Sequence, residues 1–164
     1  MNYEEAYKAY PGVEWLVNET KHEAHQKRYD AIVEKTHGPT ALDIGAGVGN
    51  LAIKLQEKGI LVTCVDVKEE YVEHMRRLGL HALKIDGTKL PFPDKLFDTV
   101  ILSEIVEHME NPGLLLAEAF RVAKVQVIFT VPINCHDQPW HLWIVGVVKN
   151  GYGAIFNFER EEGM

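Results

Sequence analysis

The chain has 164 residues, 46% of them apolar and 25% charged, which suits one globular domain with its own core and leaves no room for a second substrate-binding domain. Its 17 Lys and Arg against 24 Asp and Glu give a net charge of -7, a balance that favours solubility and argues against nucleic acid held through its phosphates. Two cysteines without a redox spacing, no apolar run of spanning length and no hydrophobic leader point to a reducing, cytoplasmic setting with no membrane partner.

Residues 1–37 read as a helical cap within this single domain, 1–164. Asn2–Tyr10 forms a short helix stopped by Pro11–Gly12, Glu14–Val17 is a link, and a longer helix covers Glu19–Thr36. On that helix Ala24, His25, Arg28, Tyr29, Ile32 and Val33 recur close to a 3.6-residue period and make one partly apolar face. The basic stretch Lys21–Arg28 reads as an ordinary solvated face. Gly38–Pro39 ends the helix and feeds the first strand.

The chain is organised around Thr40–Asn50, T-A-L-D-I-G-A-G-V-G-N. Ala41–Ile44 suits a buried strand, Gly45, Gly47 and Gly49 a tight turn, and Leu51–Lys58 a helix. Glycines let backbone approach a ligand closely, and the helix start offers free N–H groups. A dinucleotide fingerprint requires G-x-G-x-x-G, whereas here Asn50 stands where the third glycine belongs. Asp43 lies inside the strand and needs hydrogen-bond partners if buried, which the following turn is expected to supply. Asp66 ends the next apolar run, Leu61–Val65, where a carboxylate can accept from two ribose hydroxyls.

Further on, Lys68–Leu78 reads as a helix, His81–Ile85 as the third strand and Thr88–Leu96 as a loop with two prolines. Asp98–Leu102 is the fourth strand and Ser103–Glu110 a loop. Asn111 caps a helix with Pro112 at its first position, and the apolar Gly113–Val122 should be well buried. Val125–Val131 is the fifth strand. Ile133–Pro139 is too short for a full crossover helix, so a helix there is missing or reduced to one turn. His141–Val148, a turn at Lys149–Gly153 containing Asn-Gly, and Ala154–Glu159 read as an antiparallel hairpin. A thinly covered sheet face there invites a homo-oligomer through residues 125–160 or a wide substrate opening.

Four stretches in order carry a resemblance: L-D-I-G-A-G-V-G, V-T-C-V-D, I-D-G-T-K-L-P-F-P-D-K-L-F-D-T-V and L-S-E-I-V-E-H-M-E-N-P. Over roughly Tyr29–Pro132 the chain resembles class I S-adenosylmethionine-dependent methyltransferases, in particular the group that includes ubiquinone and menaquinone biosynthesis enzymes. The resemblance implies an α/β, Rossmann-like sheet, mostly parallel, and S-adenosylmethionine as cofactor with S-adenosylhomocysteine as product. It places Asp43, Gly45, Ala46 and Gly47 at the methionine portion, Tyr29 at its border, Asp66 at the ribose, and Val67, Asp86 and Gly87 at the adenine. Ser103 falls near the sulfonium. Plainer roles stand beside these: Asp66 or Asp86 as a turn cap, Tyr29 as a packing aromatic.

Methyl transfer rests mainly on positioning, with a base needed only when the nucleophile must lose a proton. His108, His136 and His141 are the candidate bases, with Asp137 and Trp140 beside the last two. The H-D-x-x-x-H arrangement lacks familiar metal-ligand spacing, so no metal is expected. No N/D-P-P-Y/F motif follows the fourth strand, where Ser103-Glu104-Ile105-Val106 stands. The acceptor is thus an unspecified small molecule or protein side chain. A non-catalytic cofactor-binding subunit is the alternative, and a nicotinamide oxidoreductase is disfavoured by Asn50.

Overall fold

In the computed structural model, which describes residues 11–133, 142–149 and 154–159, the apolar runs align as strands of one sheet. The expected helix Asn2–Tyr10, all but the first residue of Ile133–Pro139, where a helix is expected to be missing or reduced to one turn, and most of the expected turn Lys149–Gly153 lie outside these residues. Among the described residues, helices α1 (Val13–Glu19) and α2 (Glu23–Lys35) come first. There follow β1 (Thr40–Ile44), α3 (Asn50–Glu57), β2 (Leu61–Asp66), α4 (Glu69–Arg77), β3 (His81–Lys84) and β4 (Phe97–Ser103). A single 3-10 turn at Val106–His108 leads to α5 (Pro112–Val122), β5 (Ala123–Ile133), β6 (Leu142–Lys149) and β7 (Ala154–Glu159).

The strand order is β3-β2-β1-β4-β5-β6-β7. β1 pairs in parallel with both β2 and β4, so the order reverses between β1 and β4 and opens a crevice beyond their carboxyl ends. β3 and β5 extend the parallel pairing on either side. β6 runs antiparallel to β5, and β7 antiparallel to β6.

Alternation along the strands sends side chains into two apolar layers. Ala41, Val62, Cys64, Ile101 and Ile128 face α2, α3 and α4, where Ile32, Leu55 and Met75 are completely buried. Leu42, Ile44, Val65, Val100, Leu102 and Val127 face the other way, against α5 and the Leu90–Phe97 loop. Fully burying one such aliphatic side chain contributes about 1.5–3 kcal/mol. From the interior strands β5 and β4, Gln126 donates to the Lys35 carbonyl and Thr99 to that of His37, fixing the end of α2 to the sheet.

Three local expectations need correction. Residues 14–17 are not a link: Val13–Glu19 is a helix, and a turn at 20–22 separates it from α2, which starts at Glu23 rather than Glu19. The Thr20 hydroxyl donates back to the Leu16 carbonyl and closes the first helix there. The apolar helix α5 is only half covered: Leu115, Ala119 and Val122 are buried, but Leu114 is 54% and Phe120 39% exposed. Its single contact layer claims one stripe at helical spacing and leaves the other outside. Asn111 is the cap residue by position, but its side chain makes no capping hydrogen bond. Among the described residues, no helix is long and apolar enough to cross a membrane.

Candidate functional site

The reversal between β1 and β4 places three loop starts side by side: the glycine turn after β1, Asp66 at the end of β2 and Ser103 at the end of β4. Helices α1 and α2 lie across them and enclose a cavity of about 530 Å³. Three hydrogen bonds tie the flanks of α1 to the body of the domain. The Pro11 carbonyl accepts from the Tyr71 hydroxyl at 2.6 Å and from Lys68 Nζ at 2.9 Å. Asn50 Nδ2 donates to Thr20 Oγ1 at 2.5 Å. The departure from the dinucleotide pattern thus has a job here, joining the start of α3 to the cap.

The turn itself depends on glycine. Gly45 has φ +72°, and a Cβ there would lie 2.5 Å from Ile105 Cδ1, so the loop after β4 seats directly on it. Gly49, φ +84°, would drive a Cβ to 2.5 Å from Leu80 Cδ1. The turn's N–H groups are already engaged, against expectation. Those of Gly45 and Ala46 donate to the Val65 carbonyl at 2.8 and 3.2 Å, and that of Gly47 to Asp66 Oδ2 at 3.0 Å.

That arrangement leaves Asp43 without the support expected from the turn. It is 1% exposed, and its Oδ1 has no hydrogen-bond partner among the described residues. Burial, and then the nearby Asp66 carboxyl, push its pKa up to about 7. Asp66 is also buried and its pKa raised by burial, but the N–H groups of Lys68 (2.9 Å, to Oδ1) and Gly47 oppose the shift. It is therefore both a turn cap and a wall of the cavity.

Of the sequence-predicted residues, Tyr29, Asp43, Gly45, Ala46, Gly47, Asp66, Ser103 and His108 line this cavity. Val67, Asp86 and Gly87 do not. Asp86 is exposed, and its Oδ1 accepts from the Thr88 N–H at 2.8 Å and hydroxyl at 2.7 Å, which is the plainer turn-cap role. Gly87 is buried on the α5 side, where a Cβ would lie 2.6 Å from Ile44 Cγ2 and 2.8 Å from Leu115 Cδ1. His136 and His141 lie outside the described residues. Among those residues no group of three or more His, Cys, Asp or Glu side chains is placed to hold a metal ion.

Several lining residues escaped the sequence reading. The buried Arg28 of α2 makes an ion pair with Glu104 (Nη1 to Oε1, 2.7 Å) and sits 5.1 Å from the Tyr29 ring centre. Glu104 itself holds φ +52°, unusual for a non-glycine residue. Arg28 Nη2 lies 2.9 Å from His25 Nδ1, and because a guanidinium can only donate, a hydrogen bond between them needs Nδ1 as its acceptor. Glu19, Glu107, Trp15 and Tyr71 complete the wall. Burial raises the Glu107 pKa, and His108 Nε2 lies 3.8 Å from its Oε1. The only signal for Arg28 was its place on the apolar face of a helix, where a charged side chain needs a partner.

Comparison with known proteins agrees with this geometry. The methyltransferase domain profile matches residues 42–131. A ubiquinone biosynthesis O-methyltransferase from Paramagnetospirillum magneticum is 28% identical over 129 residues, covering 75% of this chain and 52% of that protein. A phosphatidylethanolamine N-methyltransferase from Cereibacter sphaeroides is 29% identical, covering 60% and 52%. A solved Thermotoga maritima S-adenosylmethionine-dependent methyltransferase, titled a possible histamine N-methyltransferase, superposes with a TM-score of 0.58 at 26% identity, covering 67% and 51%. The chain spans about half the length of these relatives.

Proposed function

The chain belongs to the class I S-adenosylmethionine-dependent methyltransferase family, and from that premise we propose that it binds this cofactor in the cavity beneath α1 and α2 and methylates a small molecule there. The single observation that carries the proposal is Asp43. A buried carboxylate with an unpartnered oxygen requires a donor, and the amino group of S-adenosylmethionine is a cationic one of the right chemistry. Bound there, the cofactor supplies an activated methyl group on a cationic sulfur.

The rest of the mechanism belongs to the chain's own side chains. Asp43 holds positive charge deep in the chamber. Asp66, pinned by two backbone N–H groups, keeps oxygen lone pairs for hydroxyl donors. Tyr29 and the cap exclude water, and Ser103 marks the end of the strand facing the acceptor. Where the acceptor must shed a proton, His108 is placed to take it: it lines the cavity and is half exposed to solvent. A mostly parallel sheet ending in an antiparallel hairpin, an oligomer through residues 125–160 and a cytoplasmic setting complete the proposal.

Asp66→Ala should weaken S-adenosylmethionine binding by about tenfold or more in a calorimetric titration, from the loss of charge-assisted hydrogen bonds worth ~1.5–3 kcal/mol. Unchanged affinity would remove Asp66 from the site.

A further inference from the structure

Resting on the methyltransferase reading above, we infer that the acceptor is a protonated amine, recognised by carboxylates at the open end of the cavity and methylated on nitrogen. Among the described residues five carboxylates line the chamber, Glu19, Asp43, Asp66, Glu104 and Glu107, against one guanidinium, that of Arg28. Arg28 is committed to Glu104 at 2.7 Å and to His25 Nδ1 at 2.9 Å. Asp43, 99% buried with an unpartnered oxygen, is a separate sign that the chamber takes a ligand bringing cationic donors.

The inner pair, Asp43 and Asp66, suits the cofactor and leaves Glu19 and Glu107 for the acceptor. Among the described residues their ion-pairing neighbours are histidines, His22 at 3.7 Å and His25 at 3.8 Å from Glu19 and His108 at 3.8 Å from Glu107, with the Arg28 charge acting on Glu107 as a lesser influence. A histidine offsets a carboxylate only when protonated. Trp15 lines the same cavity at 55% exposure and offers an aromatic face for a cation. A carboxylate, phosphate or phenolate acceptor would approach this wall against its charge.

The chemistry balances. The bound ammonium gives one proton to His108 Nε2 and becomes a neutral amine with a lone pair. That lone pair forms the nitrogen–carbon bond to the methyl group while the carbon–sulfur bond breaks and leaves its electron pair on sulfur. Positive charge passes from sulfur to nitrogen, beside Glu104 and Glu107, which stabilise it as it develops.

The test uses protein saturated with S-adenosylhomocysteine and titrated calorimetrically with three probes of similar shape: phenethylamine, 4-ethylphenol and 3-phenylpropionate. The amine should bind at least tenfold more tightly than the phenol, and the carboxylate should not bind. Glu19→Gln with Glu107→Gln should bring amine and phenol within threefold, with S-adenosylhomocysteine affinity retained. Glu107→Gln alone carries the same expectation at smaller size should the double variant not fold. A phenol or carboxylate bound as tightly as the amine, no binding of the amine, or an unchanged preference in the variants would overturn the inference. Failure of the wild-type protein to bind S-adenosylhomocysteine would instead remove the reading beneath it.

Discussion

Asp43 concentrates the site's electrostatics in one side chain. Its pKa, raised by burial to about 7, makes the folded protein hold a proton that the unfolded chain has released above about pH 4. The group's contribution to stability is thus present below pH 4 and is lost as pH rises through 7, with Asp66 and Glu107 shifted in the same direction. Thermal unfolding of the ligand-free protein should show stability falling over that window, and Asp43→Asn should flatten the fall. Binding a cationic ligand needs the ionised form, so affinity for S-adenosylmethionine should rise about tenfold from pH 6 to pH 8. An affinity flat in pH would mean that Asp43 does not meet the ligand's charge. Asp86 behaves differently: because it caps its own turn, Asp86→Ala should change cofactor affinity by less than about threefold, within the energy of one neutral hydrogen bond.

At the scale of elements, the strand, turn and helix of Thr40–Glu57 require particular glycines. Gly49 and Gly59 have nearly the same φ, +84° and +83°, but a Cβ at Gly49 would strike Leu80 and Met75, whereas nothing lies within 4 Å at Gly59. Gly49→Ala should therefore cost more than about 2 kcal/mol in chemical denaturation, adding overpacking to backbone strain, and Gly59→Ala only about 1 kcal/mol. Equal losses would show that backbone strain alone sets the cost. The elements were legible from the sequence wherever periodicity and glycine punctuation agreed, as from β1 to β4. They were illegible where long-range contact decided. No local pattern in Val13–Glu19 reveals that Leu16 packs over Gly47, or that Pro11 meets Tyr71. The exposure of Leu114 and Phe120 depends on how many layers cover α5, which composition cannot report.

Across the whole molecule, the reversal of strand order between β1 and β4 turns scattered motifs into one chamber. The motif residues on β1, β2 and β4 were legible because a parallel sheet brings its carboxyl ends together. Asp86 and Gly87, after β3, do not line the chamber, because β3 lies two strands from β1 and its loop turns toward α5. The Arg28–Glu104 pair, 76 residues apart in sequence, follows only from the fold. Calorimetric titration of the wild-type protein at pH 8 is the sharpest test that S-adenosylmethionine binds in that chamber. S-adenosylmethionine and S-adenosylhomocysteine should bind with micromolar affinity, with NAD inert. Absence of binding by both, or tighter binding of NAD, would contradict the account.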